Sequence, residues 1–342
     1  MRYKILRFVF SVASLVTACA TQPPTPDLGA QLAEVIQQPD VVSFPLKKSE
    51  HGRWVVPLII NDEYEAEMVI DTGATYSALF ETSVKKMKLI ENLDKRIRVH
   101  GLFSNADTKT TIAENVRFGH EFLGSKSFAI LTNDGEGDEK FEVYDGVIGM
   151  DVLERYRLYI DGSDKQIYFI PRTSRLIQKP SHYVEINLYQ NPYSELAPSL
   201  HFFDLSVKHR NIPALLDTGT DVHVINWHAA TFVEARSLRA RLKWEWEVAG
   251  AIGEFKPIVA AKMGSLSSGR YEWEDTIMLI KDTDSLSFIG VADKPFVVAG
   301  VNLLGDRDVF LDFDADKMWL QPPPDFNVTQ ALSICPSCQG RY

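Results

Sequence analysis

Short runs of apolar residues separated by polar turns dominate the chain from about residue 41 onward. Trp54–Ile60 and Tyr64–Ile70 have the composition of two strands joined by a polar turn. The same strand–turn–strand pattern recurs at Phe203–Val207 and Ile212–Leu216. Helical periodicity of 3.6 residues is confined to brief stretches. The pattern therefore predicts an all-β fold.

The two halves of the chain also match each other in sequence. Val147–Leu153 aligns with Val298–Leu304, and Leu158–Asp161 aligns with Val309–Asp312 at the same offset. Two unrelated β segments are not expected to keep one register over such a length. The match therefore indicates an internal duplication.

The duplication divides the body of the chain into two domains. We assign residues 42–172 to domain 1 and residues 181–324 to domain 2, because Pro180 and polar residues interrupt the strand pattern between them. Residues 325–342 form a C-terminal tail.

The N-terminal residues 1–18 have the features of a signal peptide. Basic residues precede an apolar stretch at 8–16, which is too short to span a bilayer. Small residues then precede Cys19, which resembles the lipobox of bacterial lipoproteins, where the cysteine is acylated; the alternative is an ordinary signal peptide with an incidental cysteine. Ala20 after the cysteine resembles an outer-membrane signal. Residues 19–41 are predicted to be a tether, Pro-rich and extended at 22–26 and followed by a short polar stretch that is a candidate helix.

Charge and cysteine content narrow the function classes. The 342-residue chain is 45% hydrophobic and carries a net charge of -10 with no Lys/Arg-rich run, which argues against nucleic acid as a partner. Besides Cys19, the chain has only Cys335 and Cys338. A local disulfide is favoured over a redox pair or half a zinc site, because neither a second pair nor a nearby histidine accompanies them.

Two copies of the triplet Asp-Thr-Gly carry the candidate chemistry. Asp71–Gly73 and Asp217–Gly219 each follow an apolar run, so each is expected at a turn that ends a strand. Two carboxylates held close together cannot easily both ionise and tend to share one proton. Aspartic peptidases use such a pair for catalysis, because two carboxylates that share one proton provide an acid and a base at the same pH.

With both triplets and the Gly motif downstream of each, the chain resembles the retropepsin-like aspartic peptidases over about residues 42–324. The resemblance implies two tandem retropepsin-like β-barrel domains related by pseudo-twofold symmetry. It also implies that Asp71 and Asp217 hold one water between them, and that Thr72 and Thr218 bond across the axis. Neither a metal nor another cofactor is implied.

The two turns share their glycine but differ at the residue that follows each triplet. Gly73 and Gly219 let each turn approach the partner half without a Cβ clash. Ala74 follows the first triplet and Thr220 the second. A hydroxyl here can donate to the carboxylate and favour its charged form. We therefore expect Asp217 to be the more readily ionised member of the pair.

Two Gly-containing hairpins are candidate flaps. Gly101–Leu102 lies in the first and Gly250–Ala251 in the second, at parallel places in the two halves. Members of the family close such hairpins over an extended peptide, which binds as an added strand. The alternative is two ordinary hairpin turns with glycine at positive φ.

Other polar residues receive structural interpretations. Asp151 follows the first Gly motif, but its counterpart is Asn302, so we expect it to be a helix-start residue. His223 and His228 have no spacing typical of a metal site, and we place them on the surface or in the core.

The sequence thus favours a monomeric aspartic endopeptidase with a peptide or protein substrate. We expect it to be attached to the membrane through a lipid anchor at Cys19, in the envelope of a Gram-negative-type bacterium, at the outer membrane and facing the periplasm. One alternative is a peptide-binding module of the same fold with little or no turnover. A structural envelope lipoprotein is a third reading, against which two intact triplets argue.

Overall fold

The computed structural model describes residues 28–49, 51–100, 105–132, 144–174, 183–233, 245–248, 256–283 and 285–322. Strands dominate these residues and the helices are short, so the fold is all-β, as the alternating pattern predicts. Every helix within the described ranges is too short or too polar to cross a membrane.

The helices are α1 (Leu28–Val35), α2 (Glu81–Lys86), α3 (Met150–Leu153), α4 (Trp227–Phe232) and α5 (Ser285–Phe288), with a 3-10 helix at Val301–Leu303. The strands of the first half are β1 (Val42–Pro45), β2 (Lys47–Lys48), β3 (Trp54–Ile60), β4 (Tyr64–Ile70), β5 (Ala78–Phe80), β6 (Glu91–His100), β7 (Asn105–Phe118), β8 (Glu121–Leu131), β9 (Gly146–Ile148), β10 (Tyr156–Asp161) and β11 (Gln166–Pro171). The strands of the second half are β12 (Val184–Asn187), β13 (Tyr189–Gln190), β14 (His201–Val207), β15 (Arg210–Asp217), β16 (Val224–Ile225), β17 (Glu245–Val248), β18 (Lys256–Ser268), β19 (Tyr271–Ile280), β20 (Val297–Gly300), β21 (Val309–Asp312) and β22 (Lys317–Leu320).

Each half forms an eight-stranded sheet with the same strand order. The first is β2-β3-β4-β9-β5-β8-β7-β6 and the second is β13-β14-β15-β20-β16-β19-β18-β17. In both sheets the strand that leads into the triplet pairs in parallel with the strand that leads into the Gly motif, β4 with β9 and β15 with β20. The pattern repeated in the sequence therefore corresponds to a topology repeated in the structure.

A third sheet joins the two halves. Its six strands run β1-β11-β10-β21-β22-β12, three from each half, with β10 and β21 antiparallel at its centre. An ion pair crosses this junction, because Arg157 Nε lies 2.8 Å from Asp312 Oδ2 and both side chains are buried. Removing one partner of a buried ion pair strongly destabilises the folded protein, because the other charge is left buried and uncompensated. One apolar core also continues through both halves.

Helix α1 packs against the shared sheet. Leu32 and Val35 are buried in a cluster with Tyr159, Phe310 and Trp319, which come from both halves. Apolar side chains at helical spacing provide the contact face. The short helix considered after the Pro-rich part of the tether corresponds to α1, and from Leu28 onward this segment packs on the folded body.

Candidate active site

The two aspartates of the triplets occupy equivalent places at the ends of β4 and β15. Parallel pairing with β9 and β20 fixes these strand ends, and the Asp71 N–H donates to the Ile148 carbonyl oxygen at 2.9 Å. The side chains of Asp71 and Asp217 are partly exposed, and their carboxyl groups are hydrogen-bonded to each other. The structure thus brings together two residues that are far apart in the sequence.

The two threonines tie the turns to each other. The Thr72 N–H donates to Thr218 Oγ1 and the Thr218 N–H donates to Thr72 Oγ1, both at 3.1 Å. The Thr72 hydroxyl donates to the Leu216 carbonyl oxygen and the Thr218 hydroxyl to that of Ile70, both at 2.7 Å. Both threonines are almost completely buried. These four reciprocal bonds hold the two turns in a fixed relative position.

The two glycines make the close approach of the carboxyl groups possible. A Cβ atom at Gly73 would lie 2.5 Å from Asp217 Cγ, and one at Gly219 would come still closer to Asp71 Cγ. No side chain fits there without displacing a carboxyl group. Each glycine N–H also donates to the carboxylate of its own turn, Gly73 to Asp71 Oδ1 at 2.9 Å and Gly219 to Asp217 Oδ1 at 3.0 Å.

Burial raises the pKa of both carboxyl groups, because the charged form loses its hydration. Repulsion from the Asp71 carboxylate raises the pKa of Asp217 further. Backbone N–H donors and the hydrogen bond from Asp217 oppose the shift at Asp71, and so does the positive charge of Arg53. The Arg53 guanidinium lies over the Tyr144 ring, 5.4 Å from its centroid. The environment therefore favours an ionised Asp71 beside a protonated Asp217.

This assignment is the reverse of the one expected from Thr220. The hydroxyl oxygen of Thr220 accepts from the Val222 N–H at 3.4 Å, and the donor to Asp217 is the Thr220 backbone N–H. The backbone N–H of Ala74 plays the same part for Asp71. The bonds recorded for Thr220 thus do not include the donation from its hydroxyl on which the prediction about Asp217 depends.

A serine and a carboxylate support the turn of the first half. Ser77 donates to Asp151 Oδ1 through both its N–H and its hydroxyl, each at 2.8 Å. The Ser77 hydroxyl oxygen in turn accepts from the Gly149 N–H at 3.1 Å. Lys126 Nζ lies 2.6 Å from Asp151 Oδ2. Asp151 is therefore structural, as expected. It lies inside α3, whose N-cap is Gly149, and through Ser77 it supports the turn that carries Asp71.

A buried histidine takes the place of the serine in the second half. His223 follows Asp217 at the same distance as Ser77 follows Asp71, and its Nδ1 accepts from the Gly300 N–H at 3.0 Å. Burial lowers the pKa of His223 to about 4, which keeps the imidazole neutral and able to accept. The sequence analysis did not decide whether His223 lies on the surface or in the core. Its alignment with Ser77 is the signal in the sequence that identifies its role.

The candidate flaps are only partly described. Hairpins β6–β7 and β17–β18 flank the two predicted tips, but Gly101–Leu102 and Gly250–Ala251 lie outside the described residues. At the end of β6, the ring of His100 stacks on that of Phe288 in α5, with centroids 4.2 Å apart and an angle of 8°. The hairpin of the first half therefore contacts the second half.

The predicted lipidation site, the two C-terminal cysteines and His228 are not part of this pair of turns. Cys19, Cys335 and Cys338 are outside the described residues. In the described parts of the chain, His, Cys, Asp and Glu form no group of three or more that could hold a metal ion. His228 lies in α4, away from any such group.

A known protein family matches part of the first half of the chain. The family model described as "gag-polyprotein putative aspartyl protease" matches residues 56–155. This range contains Asp71–Gly73 and the Gly149 motif with its supporting residues Ser77 and Asp151. A search of the curated proteins found no match to the chain. Over the matched residues the chain is thus similar to aspartyl proteases.

Proposed function

We propose that the chain is an aspartic endopeptidase in which Asp71 and Asp217 activate a water molecule to hydrolyse a peptide bond. The observation that carries the proposal is the mutual hydrogen bond of the two carboxyl groups, whose pKa values are raised by desolvation. Such a pair holds one proton, and it can therefore supply an acid and a base at the same time. The similarity of residues 56–155 to aspartyl proteases supports the same conclusion.

In the proposed reaction Asp71 is the general base and Asp217 the general acid. Asp71 takes a proton from the water while the water oxygen bonds to the scissile carbonyl carbon. Asp217 gives its proton to the carbonyl oxygen, so the tetrahedral intermediate is neutral. Its C–N bond then breaks, the amine leaves with the proton from Asp71, and Asp217 recovers its own. Neither a covalent intermediate with the protein nor a metal is required.

The surroundings of the pair supply its pre-organisation. The reciprocal Thr72–Thr218 bonds fix the distance between the turns, and the glycine N–H groups orient one oxygen of each carboxylate. Groups held in place before substrate binds lose little free energy through reorganisation during the reaction. The hairpins β6–β7 and β17–β18 are proposed to cover an extended peptide substrate.

The cellular setting that we propose follows from the sequence alone. Acylation at Cys19 would anchor the protein in the envelope, with the body beginning at about Leu28. Stable anchoring requires more than one acyl chain. Labelling with a clickable fatty acid tests this proposal, with Cys19→Ser as the control that should remain unlabelled.

Cleavage of a diverse peptide library tests the proposed activity. The full chain, purified in detergent, is assayed from about pH 3.5 to about pH 7.5. We expect Asp71→Asn and Asp217→Asn each to lower the rate by about 100- to 10,000-fold, the range for loss of general acid or base catalysis. Asp62→Asn makes the same chemical change at an exposed turn and should leave the rate unchanged.

Two results would contradict the proposal. Cleavage that persists in both dyad variants would mean that another group, or a contaminant, is responsible. Peptide binding by a folded wild-type chain that cleaves at no pH would instead identify a peptide-binding module, which is the alternative that the sequence leaves open.

A further inference from the structure

A recess of about 510 Å³ lies where the two halves meet beside the second triplet. The first half contributes the turn between β2 and β3, with Lys48 and His51. The second half contributes Asp221, Asn302 and Asp306. Asp221 is only a few residues after Asp217, and Asn302 follows Gly300, which pairs directly with Asp217. The recess is therefore lined by the segments that directly follow the second triplet and its paired Gly motif.

The charges that line the recess are unequally engaged. Lys48 Nζ is held by Asp306 Oδ1 and by the Gly305 carbonyl oxygen, the latter at 3.2 Å. The Asp221 carboxylate lies 3.6 Å from His51 Nδ1, beyond hydrogen-bond range, and its side chain is 31% exposed. Pairs of exposed charges contribute little to stability. A cation that enters the recess could therefore bind the Asp221 carboxylate without breaking a strong contact.

The first half has no matching carboxylate at the equivalent place. Thr75 stands after the first triplet where Asp221 stands after the second. Asp151, the counterpart of Asn302, accepts two hydrogen bonds from Ser77 and pairs with Lys126. An anionic recess is thus expected on one side of the pair only, which would distinguish the two ends of a bound peptide.

We propose that this recess binds a lysine or arginine side chain of the substrate on one side of the scissile bond, with Asp221 as the specificity-determining residue. The inference rests on the proposed peptidase function, since it names a feature of the substrate for that same site. A charge-assisted hydrogen bond from an ammonium or guanidinium group to Asp221 would supply the discrimination.

The test compares the residues preferred at each position around the cleavage site. For the wild-type chain we expect enrichment of Lys and Arg at a single position. Asp221→Asn should abolish it and lower kcat/KM for basic peptides by about 10- to 100-fold, the value of a hydrogen bond to a charged group. Peptides with norleucine at that position should be cleaved unchanged. Asp221→Glu should retain the preference, and the surface control Asp62→Asn should not alter it.

Binding separates this inference from the proposed activity. The inactive Asp217→Asn chain, with and without Asp221→Asn, is presented with the same library and the retained peptides are sequenced. If the wild type cleaves but shows no basic preference, or a preference that survives Asp221→Asn, the recess inference is wrong and the peptidase proposal stands. If the wild type cleaves nothing, the peptidase proposal fails, and retention of basic peptides that depends on Asp221 decides the recess inference.

Discussion

The two halves brace equivalent turns with different chemistry. In the first half Ser77 accepts from the Gly149 N–H and is itself held by Asp151. In the second half the ring of His223 accepts from the Gly300 N–H. Both arrangements hold the Gly motif against the triplet, yet only the second relies on a group whose ability to accept depends on pH. The geometry of the pair is therefore conserved between halves while the response to acid is not.

A similar inequality exists in the shared sheet. Arg157 faces Asp312 across β10 and β21, whereas the symmetry-related positions hold Asp161 and Asp308. Asp308 is satisfied by the Gly162 N–H and by the hydroxyl of Tyr183. One end of the junction is thus an ion pair and the other end a hydrogen-bonded carboxylate.

The largest effect is expected from breaking the ion pair at this junction. Asp312→Ala leaves the buried guanidinium of Arg157 without its carboxylate and should lower the free energy of unfolding by about 3–5 kcal/mol. Urea titration followed by tryptophan fluorescence measures this change. Asp161→Ala, at the symmetry-related position and more exposed, should cost far less. Equal losses in the two variants would show that the ends of the junction are equivalent.

The next effect concerns His223 and acid stability. Since the pKa of His223 is lowered to about 4 in the folded protein, the unfolded chain binds more protons between about pH 6.5 and pH 4. Folded stability should therefore fall by about 3 kcal/mol as the pH decreases through that window. His223→Ser, which copies Ser77, should remove this part of the pH dependence.

Unfolding curves at several pH values measure how the free energy of unfolding depends on pH. This slope is compared between variants because the substitution also changes the absolute stability. His120→Ser is the control, because His120 is exposed. A slope that is the same in His223→Ser and in the wild type would mean that the imidazole is not protonated on unfolding in this window.

The glycines of the triplets provide a prediction in which the halves should agree. Gly73→Ala and Gly219→Ala each place a Cβ against the opposite carboxyl group and should lower kcat by at least about 100-fold, as expected for a displacement of about 1 Å. Gly124→Ala is the control, since a Cβ there meets no atom within 4 Å, although its φ of +79° disfavours alanine. A nearly active Gly73→Ala variant would contradict the close approach of the turns.

The smallest effect is expected at Arg53, which acts on one aspartate of the pair. Its positive charge lowers the pKa of Asp71. Arg53→Met should therefore raise that pKa, so the ionised form is lost sooner as the pH falls and the acid limb of the kcat/KM profile moves to higher pH. Arg117→Met, which removes a surface charge near Asp62, should leave the limb in place. An acid limb that stays in place in Arg53→Met would contradict the assignment of Asp71 as the base.

The sequence predicted the parts of the molecule that depend on local pattern. Alternating strands, the triplets Asp71–Gly73 and Asp217–Gly219, and the Gly motifs all have short-range signatures, so the all-β fold and the proximity of the two aspartates could be anticipated. The repeated order of elements also allowed the halves to be matched residue by residue.

The remaining features depend on contacts between distant segments. The bond from Gly300 to His223 and the pairing of Arg157 with Asp312 arise only when separate strands meet, and no local pattern encodes them. The docking of α1 escaped prediction because its few apolar residues need the shared sheet as a partner. The bond that the Thr220 hydroxyl accepts from the Val222 N–H likewise depends on the turn geometry, which the sequence does not specify.

The reciprocal threonine bonds join positions 146 residues apart in one polypeptide. Assembly of the pair is consequently a folding event, and dilution does not separate the two halves, which remain at a high effective concentration. In a homodimer every substitution appears twice, on both sides of the axis. Here each half can change alone, so a histidine can replace a serine on one side, and a recess can acquire charge at one end, while the other side is left intact.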